Sequence, residues 1–301
     1  MEVISDNVSR RLVRSKVFID KSGLMRLRIT NMLKLYKAGN SICTQKVLMT
    51  LYEKGLDFGV DEINLFKNEQ YDPEYLKLNP KGVVPTLNHD GSIIIESTLI
   101  CEYLDEVFPS PRLIPEEPYK KSKLRLWSKA VDEGIFEATR ELSFSAMFRE
   151  KMKNMSQEQR EARFQNVGNP ERRARYISTF LKGVDSQYVL EGIYEFEKLF
   201  REMEAALSDK KDWLLGDDYT LADVSLSPYV ARLHYLTLLP IWTENRPLVK
   251  AWWERARRRR SFEVAVENAL KKEDKADMAT YGERIRDRVR ERREEYLASF
   301  Q

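Results

Sequence analysis

Gly82-Val83-Val84-Pro85-Thr86-Leu87-Asn88-His89-Asp90-Gly91-Ser92-Ile93-Ile94-Ile95-Glu96-Ser97 decides the fold of this 301-residue chain. Two short apolar runs, Thr86 to Asn88 and Ile93 to Ile95, flank an Asp-Gly pair, a strong signal for a tight β-hairpin. Pro85 then belongs at a strand entrance, since proline has no N–H to give a central ladder. Ser97 is a good N-cap, and Ile100, Tyr103, Leu104, Val107 and Phe108 recur at helical spacing until Pro109. A helix start exposes N–H groups that favour an anion, and Glu96 beside it favours a cation. The junction therefore suits a ligand that carries both charges, such as an α-amino acid. An ordinary cap beside a solvated Glu96 is the plainer alternative.

Upstream, Leu33 to Tyr36 alternates as a strand. Lys46 to Lys54, with Val47, Leu48, Leu51 and Tyr52 on one side, reads as an amphipathic helix ended by Gly55. Phe58 to Leu65 supplies a second strand and Pro73 to Leu78 a short helical turn. The order is βαβ, then α, then ββα. Between the first strand and the first helix, the loop Lys37 to Thr44 brings Asn40, Ser41, Cys43 and Thr44 to a helix N-terminus, where an anion such as a thiolate is stabilised.

The Val-Pro pair before a hairpin and the Glu-Ser pair after it resemble the glutathione transferase family, and the strand and helix order matches a thioredoxin-like domain. The resemblance covers about residues 33 to 270. It implies a cis Val84–Pro85 bond, with the Val84 backbone pairing with the cysteinyl part of glutathione and Glu96 and Ser97 holding its γ-glutamyl end. Lys81 joins this glutathione-binding set. Ser41-x-Cys43 is similar to the zeta-class loop and makes Ser41 the residue that acts on the glutathione sulfur. Cys43 and Asn40 are its rivals and Thr44 a further candidate. As a lone serine Ser41 would be a capping hydroxyl, and Cys43 a small buried hydrophobe.

Pro109 to Pro118 holds four prolines in ten positions, a composition that marks a linker. From Tyr119 the pattern is helical throughout, including Leu124, Trp127, Val131 and Ile135, then Tyr188 to Leu207 and Pro247 to Ala269, so the second domain is read as all-helical over 119–270. Thr220 and Asp223 form a capping box ahead of the apolar run Val224 to Val230. The long segment Ser143 to Asp185 is expected to cap a substrate site, with Phe144, Met147 and Phe148 as lining residues or, more plainly, as core. That segment, with Glu96 to Leu104 and Leu51 to Leu56, resembles the bacterial β-etherase branch of the family.

Residues 1–31 are rich in arginine and lysine, without sustained periodicity. They fit a flexible arm or a start upstream of the true one at Met32, a targeting peptide being disfavoured by Glu2, Asp6 and Asp20. Residues 271–301 read as a charged helical tail. The runs Arg255 to Arg260 and Arg284 to Arg293 look like nucleic-acid patches, but they sit in helical patterns and read better as solvated faces. The composition, 42% hydrophobic and 33% charged with a net charge of only +3, is that of a globular chain long enough for two domains. It gives no ground for a nucleic-acid partner. No apolar run approaches the roughly 18 residues needed to span a bilayer. Two cysteines and two histidines cannot build a disulfide framework or a four-cysteine zinc site, which points to the cytosol and to no metal.

The expected protein is thus a cytosolic, homodimeric transferase: glutathione is the co-substrate and an apolar or aromatic electrophile, for instance a β-aryl ether, the second substrate. A zeta-like isomerase, an omega-like thiol reductase using Cys43, and a non-catalytic binding scaffold that works through its charged tail are the alternatives.

Overall fold

A computed structural model describes residues 15–19, 25–29, 32–208 and 211–299. The hairpin read from Asp90-Gly91 forms: β5 (Thr86–His89) pairs antiparallel with β6 (Ser92–Ile95). Both turn residues have positive φ, 50° at Asp90 and 92° at Gly91, as a two-residue turn of matching twist requires. β5 also pairs antiparallel with β3 (Leu33–Lys37), which pairs in parallel with β4 (Phe58–Glu62), giving the order β4-β3-β5-β6. Within the N-terminal stretch, where the sequence predicts no regular element, β1 (Ser15–Ile19) and β2 (Met25–Ile29) form a separate two-stranded antiparallel sheet. The rest of the expected arm lies outside the described residues.

Three helices complete the first half: α1 (Ile42–Glu53), α2 (Pro73–Leu78) and α3 (Ser97–Val107). The structure corrects three expected boundaries. β4 ends at Glu62 rather than Leu65. α1 starts at Ile42 rather than Lys46, because Ser41 caps it by accepting a hydrogen bond from Thr44 N. Cys43 and Thr44 are therefore helical, not loop residues. Ser97 is the first helical residue of α3 and not its cap; Glu96 occupies the cap position with φ 68°, turning the chain directly out of β6. Leu35 and Leu87 on the sheet, Val47 and Leu51 on α1, and Ile100 and Leu104 on α3 bury together as one layer.

The linker is stapled to that layer. Lys54 Nζ at the end of α1 lies 2.6 Å from Asp105 Oδ1 and 2.7 Å from the Pro111 carbonyl. The same carboxylate accepts from Leu113 N and Ile114 N.

The second half is helical, as read: α4 (Pro118–Ala130), α5 (Phe136–Ser143), α6 (Arg149–Lys153), α7 (Gln157–Gln165), α8 (Pro170–Lys182), α9 (Gln187–Ala206), α10 (Leu221–Tyr235), α11 (Pro240–Thr243), α12 (Pro247–Ala256), α13 (Arg260–Phe262) and α14 (Lys272–Ala298). Single π-helical turns follow α4, α5 and α13, at Val131–Ile135, Phe144–Phe148 and Glu263–Glu267. The capping box opens α10: Asp223 Oδ2 accepts from Thr220 N, while Oδ1 accepts from Leu214 N and from the Trp252 indole.

α10 packs on α1, and the buried apolar cluster runs without a break from Leu33 to Val289, so the two halves share one core. Among the basic runs, Arg259 grips Glu53 with two bonds of 2.7 and 2.6 Å and lies 3.8 Å over the Tyr219 ring. Arg288 pairs with Asp185, Arg290 with Glu244 and Arg293 with Glu197. These arginines tie helices together. The tail helix α14 is part of the second domain, burying Met278, Gly282 and Val289 against it.

Candidate functional site

The site forms where the β3–α1 loop, the start of β5 and the start of α3 meet. Val84–Pro85 is cis, as expected. The Val84 side chain packs with Ala38 and Tyr75, which fixes the segment, and Tyr75 and Asn79 both hydrogen-bond the Val83 carbonyl. Among the described residues the backbone N–H and C=O of Val84 have no hydrogen-bond partner. A residue just before a strand with both backbone groups free can pair with an extended peptide.

At the start of α3, Glu96 is half-exposed and pairs with Lys81, Nζ to Oε1 2.6 Å. Lys81 is thus a partner of the acid expected to take an ammonium, and an incoming ammonium must share or displace it. The Ser97 hydroxyl makes no hydrogen bond among the described residues, and the first N–H groups of α3 face outward from the helix end. Behind Ser97 lies a set of residues that the sequence reading missed. Lys46 is fully buried, with Nζ 2.7 Å from Thr98 Oγ1, which in turn donates to Asp132 of the second domain at 2.9 Å. A cation on the apolar face of α1 is the sequence signal that could have found it.

On the other side, Ser41 uses an oxygen lone pair for Thr44 N, which leaves its proton free to donate. Cys43 points back toward α10, its Sγ 3.7 Å from the Tyr229 hydroxyl. Cys101 is buried, and burial pushes its thiol up to about 11, so it is not a nucleophile at neutral pH. Arg232 is the second residue that the sequence reading missed. From the last turn of α10, just past its apolar run, it reaches Asn40 and, more loosely, Ser143 Oγ at 3.4 Å.

The proposed lining residues follow Ser143 on a π-helical turn. Phe144 is stacked on Tyr176 at 4.9 Å, and Phe144 and Met147 are both buried, while Phe148 keeps partial exposure. α14 packs over the same turn, so the segment from Ser143 is braced from α8 and from the tail.

Comparison with known proteins places the chain in a family. The family model described as glutathione S-transferase, N-terminal domain, matches residues 40–107, and the one described as glutathione S-transferase, C-terminal domain, matches residues 170–255. The chain is 35% identical over 195 residues to protein LigF of Sphingobium sp., covering 64% of this chain and 75% of that protein. It is 31% identical to mouse maleylacetoacetate isomerase, covering 65% of this chain and 76% of the relative. Among solved structures, β-etherase LigF from Sphingobium sp. strain SYK-6 superposes with a TM-score of 0.70 at 31% identity, over 79% of this chain and 99% of that one. Glutathione transferase F7 from Populus trichocarpa gives 0.64 at 28% identity, over 80% and 100%.

Proposed function

Because the chain belongs to the glutathione S-transferase family, we propose that it binds glutathione along Val84, Glu96 and Ser97 and directs its thiolate at an aromatic electrophile held by the helical half. The observation that carries this reading is the unpaired Val84 backbone beside a free Ser97 hydroxyl and a Glu96 carboxylate. Together they present a backbone segment free to pair with a peptide, an anion-favouring helix start and an ammonium acceptor in one place. A free thiol ionises near pH 8.5, so the thiolate must be stabilised for reaction at neutral pH. Ser41 supplies a hydroxyl proton for that purpose.

The electrophile we assign is a β-aryl ether, supported by the likeness to a β-etherase. The thiolate would attack the carbon that bears the aryloxy group, next to a carbonyl. A carbon–sulfur bond forms, the carbon–oxygen bond breaks, and a phenolate leaves with the electron pair. The assembly we assign is a two-fold dimer in the cytosol. Leu99 on α3 and Tyr119 and Leu126 on α4 are 56%, 65% and 57% exposed on neighbouring helices linked by Arg125 and Glu102. A monomer mass in solution at micromolar concentration would argue against the dimer.

The test of the chemistry is a glutathione-dependent panel of an aryl ether, a maleyl substrate and a mixed disulfide, run on wild type, Ser41→Ala and Cys43→Ala. Ser41→Ala is expected to lower aryl-ether turnover about 10- to 100-fold, the scale of one charge-assisted hydrogen bond. Cys43→Ala is expected to be mild, since its sulfur faces Tyr229. Full activity in Ser41→Ala moves sulfur activation to Cys43 or to the Asn40 side chain, and loss of disulfide reduction confined to Cys43→Ala makes the protein a Cys43 reductase. Turnover of the maleyl substrate alone makes the protein an isomerase.

A further inference from the structure

Arg232 is 6% exposed and carries a guanidinium with no carboxylate in ion-pairing range among the described residues. Its Nη2 donates to both the Asn40 carbonyl, at 3.0 Å, and Asn40 Oδ1, at 2.5 Å. A buried cation held by neutral acceptors is costly to keep, and this one is spent on Asn40, in the loop that precedes Ser41, and more loosely on the Ser143 hydroxyl at 3.4 Å. The consequence concerns the Asn40 side chain. A guanidinium offers only donors, so the amide must present its oxygen to Arg232 and turn its NH2 the other way. That Nδ2 has no hydrogen-bond partner among the described residues.

Resting on the glutathione reading above, we propose that Arg232 is a positioning residue for sulfur activation. It locks Asn40 with Nδ2 facing the thiol site and polarises that amide, so that Asn40 acts beside Ser41 as a second donor to the thiolate. When the bound thiol ionises, its proton leaves to solvent and the negative sulfur gains the Nδ2–H bond. Burial lowers the guanidinium to about 10, and Asp274 opposes the shift, so Arg232 stays charged throughout the neutral range. Other groups brought to this junction are Cys43 from α1, Tyr229 beside it on α10, Cys101 from α3 and Asp132 after α4. Asp274 comes from α14. Lys46, whose Nζ lies 3.9 Å from Asp132, is a second cation at this junction, but only Arg232 is bonded to Asn40.

The experiment follows the ionisation of bound glutathione by its thiolate ultraviolet absorbance against pH, in wild type, Asn40→Ala, Asn40→Asp, Arg232→Gln and the pair Asn40→Ala with Arg232→Gln. Each single variant is expected to raise the ionisation midpoint by about one pH unit. The pair should rise no further than the larger single shift, because both changes remove one donor. Asn40→Asp keeps an acceptor for Arg232, so its melting temperature should hold while its midpoint rises. This arm decides the matter even where Arg232→Gln does not fold. A wild-type midpoint in Asn40→Ala, or additive shifts in the pair, would overturn the role of Arg232. Absence of glutathione binding to wild type in a titration sinks the functional reading as well, and that is a separate readout.

Discussion

Replacing Asp105 by alanine is expected to destabilise the protein by about 3–5 kcal/mol, the cost of stripping a buried charge of its partner. The carboxylate is 1% exposed and Lys54 is 5% exposed, so water cannot take over either role. Three donors lose their acceptor at once: the Lys54 ammonium, Leu113 N and Ile114 N. Lys54 would keep only the Pro111 carbonyl. The double variant Lys54→Met with Asp105→Asn should recover part of the loss, since it removes the orphaned cation and retains an acceptor for one of the two N–H groups, which bind different carboxylate oxygens. Urea unfolding midpoints at fixed pH measure both. A loss below about 1 kcal/mol for Asp105→Ala would mean that the staple contributes little beyond what a solvated pair gives.

Gly282→Ala is expected to lift α14 from the body of the protein. A Cβ at this position would lie 1.9 Å from the Leu236 carbonyl oxygen and 2.6 Å from its carbon, both backbone atoms at the end of α10. Neither can rotate away, so the tail helix must shift and give up part of the packing of Met278 and Val289. The expected cost is about 3 kcal/mol, read as a melting temperature lower by about 6 °C or more, with faster proteolysis within residues 272–298. An unchanged melting temperature and protease pattern would show that the close approach of α14 and α10 is not required.

What the sequence made legible was local. The Asp-Gly hairpin, the Pro85 strand entrance and the Thr220–Asp223 box each depend on residues a few positions apart, and each is where it was read. The errors came from charges and distance. Lys46 reads as the first residue of a helix, whereas it is buried and lies four residues into one. Ser97 has the chemistry of a cap, but the positive φ of Glu96 takes that place. Arg232 meets Asn40 across 192 positions, a contact that no local pattern encodes. The tail looked separate because its buried stripe is narrow and is interrupted by Gly282, which contributes contact without hydrophobicity.

The contact between Gly39 and Ala269, 3.3 Å from an ideal Cβ to the carbonyl, and that between Asn40 and Arg232 also bear on how the protein is made. Domains tend to fold as they emerge from the ribosome, and the sheet and its three helices are complete once residue 107 is out. The loop before Ser41 then waits for α10 and for the turn before α14 before its own contacts exist. For most of synthesis the nascent chain therefore lacks the residues that hold this loop.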